Sequence, residues 1–155
     1  MMDIPSLAQE LAQRQLTLTS AESLTSGTFQ SELAATPEAH DVYPGGFITY
    51  ATSAKTKILG ISPELIEAFG VVSEAVAVEM AWRAKSIVQT DLALGFTGVA
   101  GPGRLEGQPV GTVCIGCADH RGVVGHTYHF DGTPAEIMAQ SCQAGVELLV
   151  ARLGD

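Results

Sequence analysis

The stretch DLALGF, residues 91–96, limits the possible folds more than any other part of the chain. It is apolar almost throughout, so as an extended strand it must be covered on both faces, the pattern of a strand lying between helical layers. Before it, Val76, Met80, Ala84 and Ile87 recur at helical spacing within residues 74–89. Ser73 stands where a helix cap belongs, and Glu74 is favourably placed near a helix N-terminus. After it, the glycine-rich TGVAGPG opens a loop that reaches Gln108.

The rest of the chain supplies the covering layers. Residues 6–15 read as a short amphipathic helix with Leu7 and Leu11 on one face. Leu16 and Leu18 alternate with Thr17 and Thr19, which reads as a strand, and residues 28–35 read as a helix. A turn-rich loop, residues 36–45, leads to a second strand at 46–50. Residues 51–60 form a short helix capped by Thr52 or Ser53 and stopped by Gly60, and Ser62-Pro63 starts another that ends at Gly70. Residues 110–118 and 123–130 make a hairpin, and residues 133–153 a closing helix with Pro134 near its start. Strands alternating with helices, with an antiparallel hairpin late in the chain, predict an α/β fold: a mixed β-sheet sandwiched between helices in three α/β/α layers. Residues 1–155 are expected to form one domain. The loops at Ser23, Tyr50 and Thr97, each after a strand, are expected to gather at one edge of the sheet, where α/β folds place ligands.

Composition narrows the function. At 155 residues and 46% hydrophobic, the chain can bury about two-thirds of its unfolded surface. Seventeen acidic residues against eight basic give a net charge of −9, which repels nucleic-acid backbones and anionic lipid, so neither is an expected partner. No apolar run approaches the roughly 20 residues of a membrane helix. The N-terminus also lacks the basic-then-apolar order of a signal peptide, so the expected location is cytoplasmic. Three cysteines do not suggest a disulfide framework. Cys114 and Cys117 match C-x-x-C, yet three apart on a strand they face opposite sides and read as core thiols. His126 and His129 diverge in the same way, without a partner at zinc-binding spacing, so no metal site is predicted. Gly98, Gly101 and Gly103 do not make the dinucleotide fingerprint G-x-G-x-x-G.

Candidate chemistry begins in LTLTSAESLTSG, residues 16–27. Ser23 follows a strand and precedes a helix, a place that suits either a helix cap or a nucleophile held on a turn. The helix start there would offer free N–H groups to a developing oxyanion. Lys55, if buried, loses several pK units and can act as a base, with Tyr50 relaying or orienting the proton. Thr52 and Lys55 also fit the loose S/T-x-x-K spacing of one helical turn, a match frequent by chance that in most proteins is a cap and a surface lysine.

Four blocks occur in order: TSAESLTSG, GGFITYATSAK, GVVSEAVAVEMA and FTGVAGPG with the later PVGTV. Together they resemble the C-terminal domain family of the competence/damage-inducible protein CinA, over nearly the whole chain. Enzymatic members of that family are nicotinamide-nucleotide amidases. The likeness is to the stand-alone form, without the molybdopterin-binding-like domain fused in many relatives. The resemblance implies a serine amidohydrolase in which Ser23 is the nucleophile, Lys55 the base and Tyr50 its assistant. The reaction it implies converts nicotinamide mononucleotide to nicotinic acid mononucleotide and ammonia. No metal or cofactor is implied, the partner is a small pyridine nucleotide, and the chain is expected to be a homo-oligomer. Glu22, Thr25, Gly27 and Gly46, and Thr97, Gly98, Ala100 and Gly101 in the fourth block, are implied to shape or line the substrate site.

The chain also departs from the family pattern A-E-S-C-T-G-G: Leu24 replaces Cys and Ser26 replaces the first Gly. Thr52 stands for a common Asn, and Arg104-Leu105 occupies a region that usually carries Gly-Gly. Where relatives show G-D-R-x-x-V-R, this chain has Gly132 to Met138 with Pro134 and no arginine. A phosphate would then need Arg104 or Lys57. Two alternatives stay open at this point: a non-catalytic nucleotide-binding or regulatory module of the same fold, and an amidase for a different small amide.

Overall fold

The computed structural model describes residues 1–154. Among them, five strands form one sheet in the order β2-β1-β3-β4-β5. These are β1 (Leu18–Glu22), β2 (Phe47–Ile48), β3 (Leu92–Gly98), β4 (Thr112–Asp119) and β5 (Gly122–His129). β2, β1 and β3 run parallel, while β4 and β5 are antiparallel to their neighbours. Helices α1 (Ile4–Gln13), α2 (Thr28–Ala34), α3 (Ala39–Val42) and α7 (Pro134–Leu153) share a core with one face of the sheet. Helices α4 (Thr52–Leu59), α5 (Pro63–Phe69) and α6 (Glu74–Val88) cover the other. The expected three-layer mixed α/β fold is the observed one, and no helix among the described residues is long and apolar enough to cross a membrane.

The two faces are built differently. Leu92, Leu94 and Phe96 of β3, with Val113, Ile115 and Cys117 of β4, point to the α7 side, each large side chain contributing about 1.5–3 kcal/mol by burial. On the α6 side the alternating positions are small. Gly95 of β3 lies opposite Gly116 of β4, which lies opposite Gly125 of β5. A side chain at Gly95 or Gly116 would run into the Ala77 carbonyl oxygen, and one at Gly125 into Val78. This glycine row lets α6 settle directly onto the sheet. Cys114 and Cys117 do face opposite cores.

Local chemistry explains the element ends. α1 starts at Ile4, earlier than expected, because the Asp3 carboxylate accepts from the Ser6 N–H and Pro5 fits the first turn. Its C-terminal turn absorbs Leu16, with Gln15 at φ 58° and the Leu16 N–H on the Leu11 carbonyl, so β1 begins only at Leu18. Ser62, Ser73 and Thr133 cap α5, α6 and α7, the last in a reciprocal box with Glu136. The expected cap of α4 is corrected: Ala51 holds the cap position without a side-chain bond, and Thr52 and Ser53 lie inside the first turn. The expected 36–45 loop contains α3.

Candidate active site

The loop leaving β1 goes to the α2 face and the loop leaving β2 goes to the α4 face, so a crevice opens between them at the carboxyl ends of the strands. Ser23 stands at its floor. Its N–H donates to the Phe96 carbonyl of β3 (2.9 Å), which fixes it to the end of the central strand. The chain then folds back tightly, with the Ser26 N–H on the Ser23 carbonyl at 3.0 Å. Ser26 (φ 46°) and Gly27 (φ 93°) are both left-handed. At Ser26 this costs about 1–2 kcal/mol relative to a relaxed backbone, and its side chain is directed to solvent. A Cβ at Gly27 would meet the Ile48 side chain at 2.8 Å.

Glu22 holds this turn. Fully buried, its carboxylate accepts from the backbone N–H groups of Gly27 (3.2 Å), Phe29 (3.1 Å) and Gln30 (2.9 Å), and from the Ser20 hydroxyl (3.1 Å). A strand residue thus closes the N-terminus of α2. The sequence-based expectation that this helix start offers free donors to an oxyanion is therefore corrected: the Gly27, Phe29 and Gln30 N–H groups are bound to the Glu22 carboxylate and the Thr28 N–H to the Thr25 carbonyl.

Lys55 reaches Ser23 from the opposite side. Its side chain is completely buried. Nζ lies 3.0 Å from Ser23 Oγ, 2.7 Å from the Thr49 carbonyl and 3.5 Å from the Tyr50 carbonyl. The Ser23 hydroxyl is also 3.3 Å from that Tyr50 carbonyl. Burial lowers the Lys55 pKa from 10.5 to about 8, because a charge removed from water without a carboxylate partner is disfavoured. When the amine is neutral, the two carbonyls can accept its two N–H bonds, leaving the lone pair for the serine proton.

A cavity of about 470 Å³ opens above the pair. Of the residues singled out in the sequence, Ser23, Tyr50, Gly98, Ala100, Gly101 and Arg104 line it; Leu24, Ala51, Thr52, Val99, Gly103 and Leu105 line it too. Glu22, Thr25, Gly27, Gly46 and Thr97 do not. Thr25 is buried beneath the turn, Gly46 sits where a side chain would strike Gln30, and the Thr97 hydroxyl donates to the Val71 carbonyl at 2.8 Å. Tyr50 stands at the rim, 69% exposed, and meets Ser23 and Lys55 through its backbone carbonyl. Lys57 lines a separate cavity between α4 and α5. The Thr49 carbonyl went unseen in the sequence, since a backbone acceptor carries no residue signature. Glu106 was also missed: its carboxylate ties the 99–110 loop to the Val71 and Val72 N–H groups, at 3.0 and 3.2 Å.

The other singled-out residues have plainer surroundings. Tyr43 donates its hydroxyl to the Gln30 side chain, and Trp82 is half exposed beneath the Lys85 ammonium.

Comparisons with known proteins agree with this architecture. The family model described as the CinA C-terminal domain matches residues 4–153. A competence-damage inducible protein of Levilactobacillus brevis is 49% identical over 144 residues, covering 92% of this chain and 35% of the relative. One from Lactiplantibacillus plantarum is 44% identical over 147 residues, covering 94% and 35%. The chain thus spans about a third of the length of these curated relatives. Among solved structures, a CinA superfamily protein from Escherichia coli superposes with a TM-score of 0.89 at 35% identity, covering 96% of this chain and 89% of the other. A competence or damage-inducible protein from Enterobacter asburiae gives 0.93 at 30%, covering 99% of both. With the family model matching almost end to end, the chain belongs to the CinA C-terminal domain family.

Proposed function

We propose that the chain is a Ser/Lys amidohydrolase that converts nicotinamide mononucleotide to nicotinic acid mononucleotide and ammonia. The observation that carries the reading is the buried Lys55 amine, 3.0 Å from Ser23 Oγ and with its pKa lowered to about 8. At pH 7 about one lysine in ten is neutral and able to take the serine proton. Ser23 Oγ then attacks the carboxamide carbon. Leu24 follows the nucleophile and lines the same cavity, and its N–H makes no hydrogen bond among the described residues; we assign that N–H as the donor to the oxyanion. Protonated Lys55 passes its proton to the departing nitrogen, which leaves as ammonia and an acyl-Ser23. Lys55, neutral again, takes a proton from water. The resulting hydroxide attacks the acyl carbon, and the proton returns to Ser23 Oγ as the carboxylic acid leaves. Tyr50 contributes its carbonyl, which holds both hydroxyl and amine in line.

The test is ammonia release from the mononucleotide by the purified chain. Ser23→Ala and Lys55→Met are each expected to lower it by at least about 10³-fold while keeping the native circular dichroism spectrum. Retained turnover in Ser23→Ala refutes the reading. Binding of the mononucleotide with no ammonia over hours, by contrast, identifies a non-catalytic nucleotide-binding module.

A further inference from the structure

Arg104 is set apart from the other arginines. Among the described residues Arg14 pairs with Glu10, Arg83 with Glu79, and Arg121 and Arg152 with Asp119. Arg104 meets no carboxylate among the described residues; its guanidinium makes one long contact, 3.5 Å, to the Gly107 carbonyl. In a chain with seventeen acidic residues, an arginine without an acidic partner at the rim of the Ser23 cavity leaves its donors for something from solution. Among the described residues no acidic side chain lines that cavity, and Arg104 is the one charged residue that does.

The loop that carries it is built to hold position. Leu105 and Gln108 close a two-residue turn through the Gln108 N–H on the Leu105 carbonyl (2.8 Å), with Glu106 at φ 53° and Gly107 at φ 75°. Two successive positive φ values make this the tight turn type of hairpins. The Glu106 carboxylate then fastens the turn to Val71 and Val72. The Arg104 backbone thus stands one residue before an anchored turn, and like Gly101 the residue lines the cavity.

We propose that Arg104 is the specificity residue that reads the phosphate monoester of the substrate, holding that anion at the outer end of the cavity while the carboxamide lies on Ser23. The assignment of the carboxamide end rests on the amidase reading above. A planar guanidinium accommodates two phosphate oxygens at once. Its charge also offsets the repulsion that a chain of net charge −9 exerts on an approaching dianion. Glu106 acts through Arg104 as a positioning residue.

The experiment compares nicotinamide mononucleotide with its phosphate-free riboside in the ammonia assay, using wild type, Arg104→Ala and Arg104→Lys. Wild type is expected to favour the mononucleotide. Arg104→Ala is expected to lower its kcat/KM about 10- to 100-fold, chiefly through KM, and to leave the riboside unchanged. Arg104→Lys is expected to recover part of the loss. Equal losses on both substrates, or none on the mononucleotide, overturn the proposal. If wild type releases no ammonia from either compound, the amidase reading fails by itself. Calorimetry then decides the role of Arg104: a preference for the mononucleotide over the riboside that disappears in Arg104→Ala upholds it, and the absence of any such preference overturns it.

Discussion

The lysine proposed as the base should also make the protein less stable, and the size of that penalty follows from its titration. Lys55 is fully buried with a pKa of about 8, against 10.5 for an exposed lysine. Below pH 8 the folded and unfolded chains both hold the proton, and the folded state bears the whole cost of a desolvated charge. Between pH 8 and 10.5 the unfolded chain holds a proton that the folded chain has released, so stability rises with pH across that window. The interval is worth about 3 kcal/mol. Lys55→Met keeps the length of the side chain and removes the charge. It also withdraws the donors to the Thr49 and Tyr50 carbonyls, a loss of about 1–3 kcal/mol that does not depend on pH. At pH 7 the two effects nearly cancel, and the variant should be as stable as wild type or up to about 2 kcal/mol more so. The decisive quantity is the change in that difference. Urea unfolding of both proteins at steps from pH 7 to 10.5 should show wild type gaining about 3 kcal/mol relative to the variant, since every other group titrates alike in both. A difference that stays flat within about 0.5 kcal/mol refutes the account of Lys55 as a desolvated amine.

The same pKa sets the pH dependence of the proposed reaction: kcat/KM should rise about tenfold per pH unit below 8 and level off above it, because only the neutral amine accepts the serine proton. A flat profile from pH 6 to 9 would argue against Lys55 as the base. Glu22→Ala removes the acceptor for three backbone N–H groups in a buried turn, so it should cost about 3–5 kcal/mol and lower the thermal midpoint by about 10 °C, read by circular dichroism. Gly116→Ala should destabilise by about 1–3 kcal/mol through collision with the Ala77 carbonyl. Gly103→Ala, where a methyl group meets open space, should stay within about 0.5 kcal/mol of wild type in the same unfolding assay.

What could be read in advance was whatever a local pattern records. The apolar β3, the spacing of α6, the serine caps of α5 and α6 and the stop at Gly60 depend on neighbours within a turn or two, and each appears where expected. The glycine row at positions 95, 116 and 125 escaped notice because it exists only once three strands are aligned. Leu16 looked like strand by alternation and was taken into the end of α1, where a hydrogen bond to Leu11 outweighs the pattern. At the site, Ser23, Lys55 and the 98–101 loop were legible, whereas the depth of Lys55 was not. Lys55 and Lys57 lie two apart on α4 and so on different sides of the helix, and only the packing of that helix decides which one is buried.

The parity of β1 does the remaining work. Successive residues of a strand point to opposite faces, so Glu22 turns toward α2 while Ser23 turns toward α4. Two buried ionisable groups therefore stand near one turn without pairing. Glu22 is satisfied by four donors on its own side, and Lys55 meets only two carbonyls and a hydroxyl on the other. Had the carboxylate faced the amine, the ion pair would have raised the lysine pKa and removed the base. One residue of register separates a structural salt bridge from the proposed Ser23–Lys55 pair. A one-residue insertion or deletion within β1 that still allows folding should therefore abolish ammonia release entirely, since it exchanges the faces of Glu22 and Ser23.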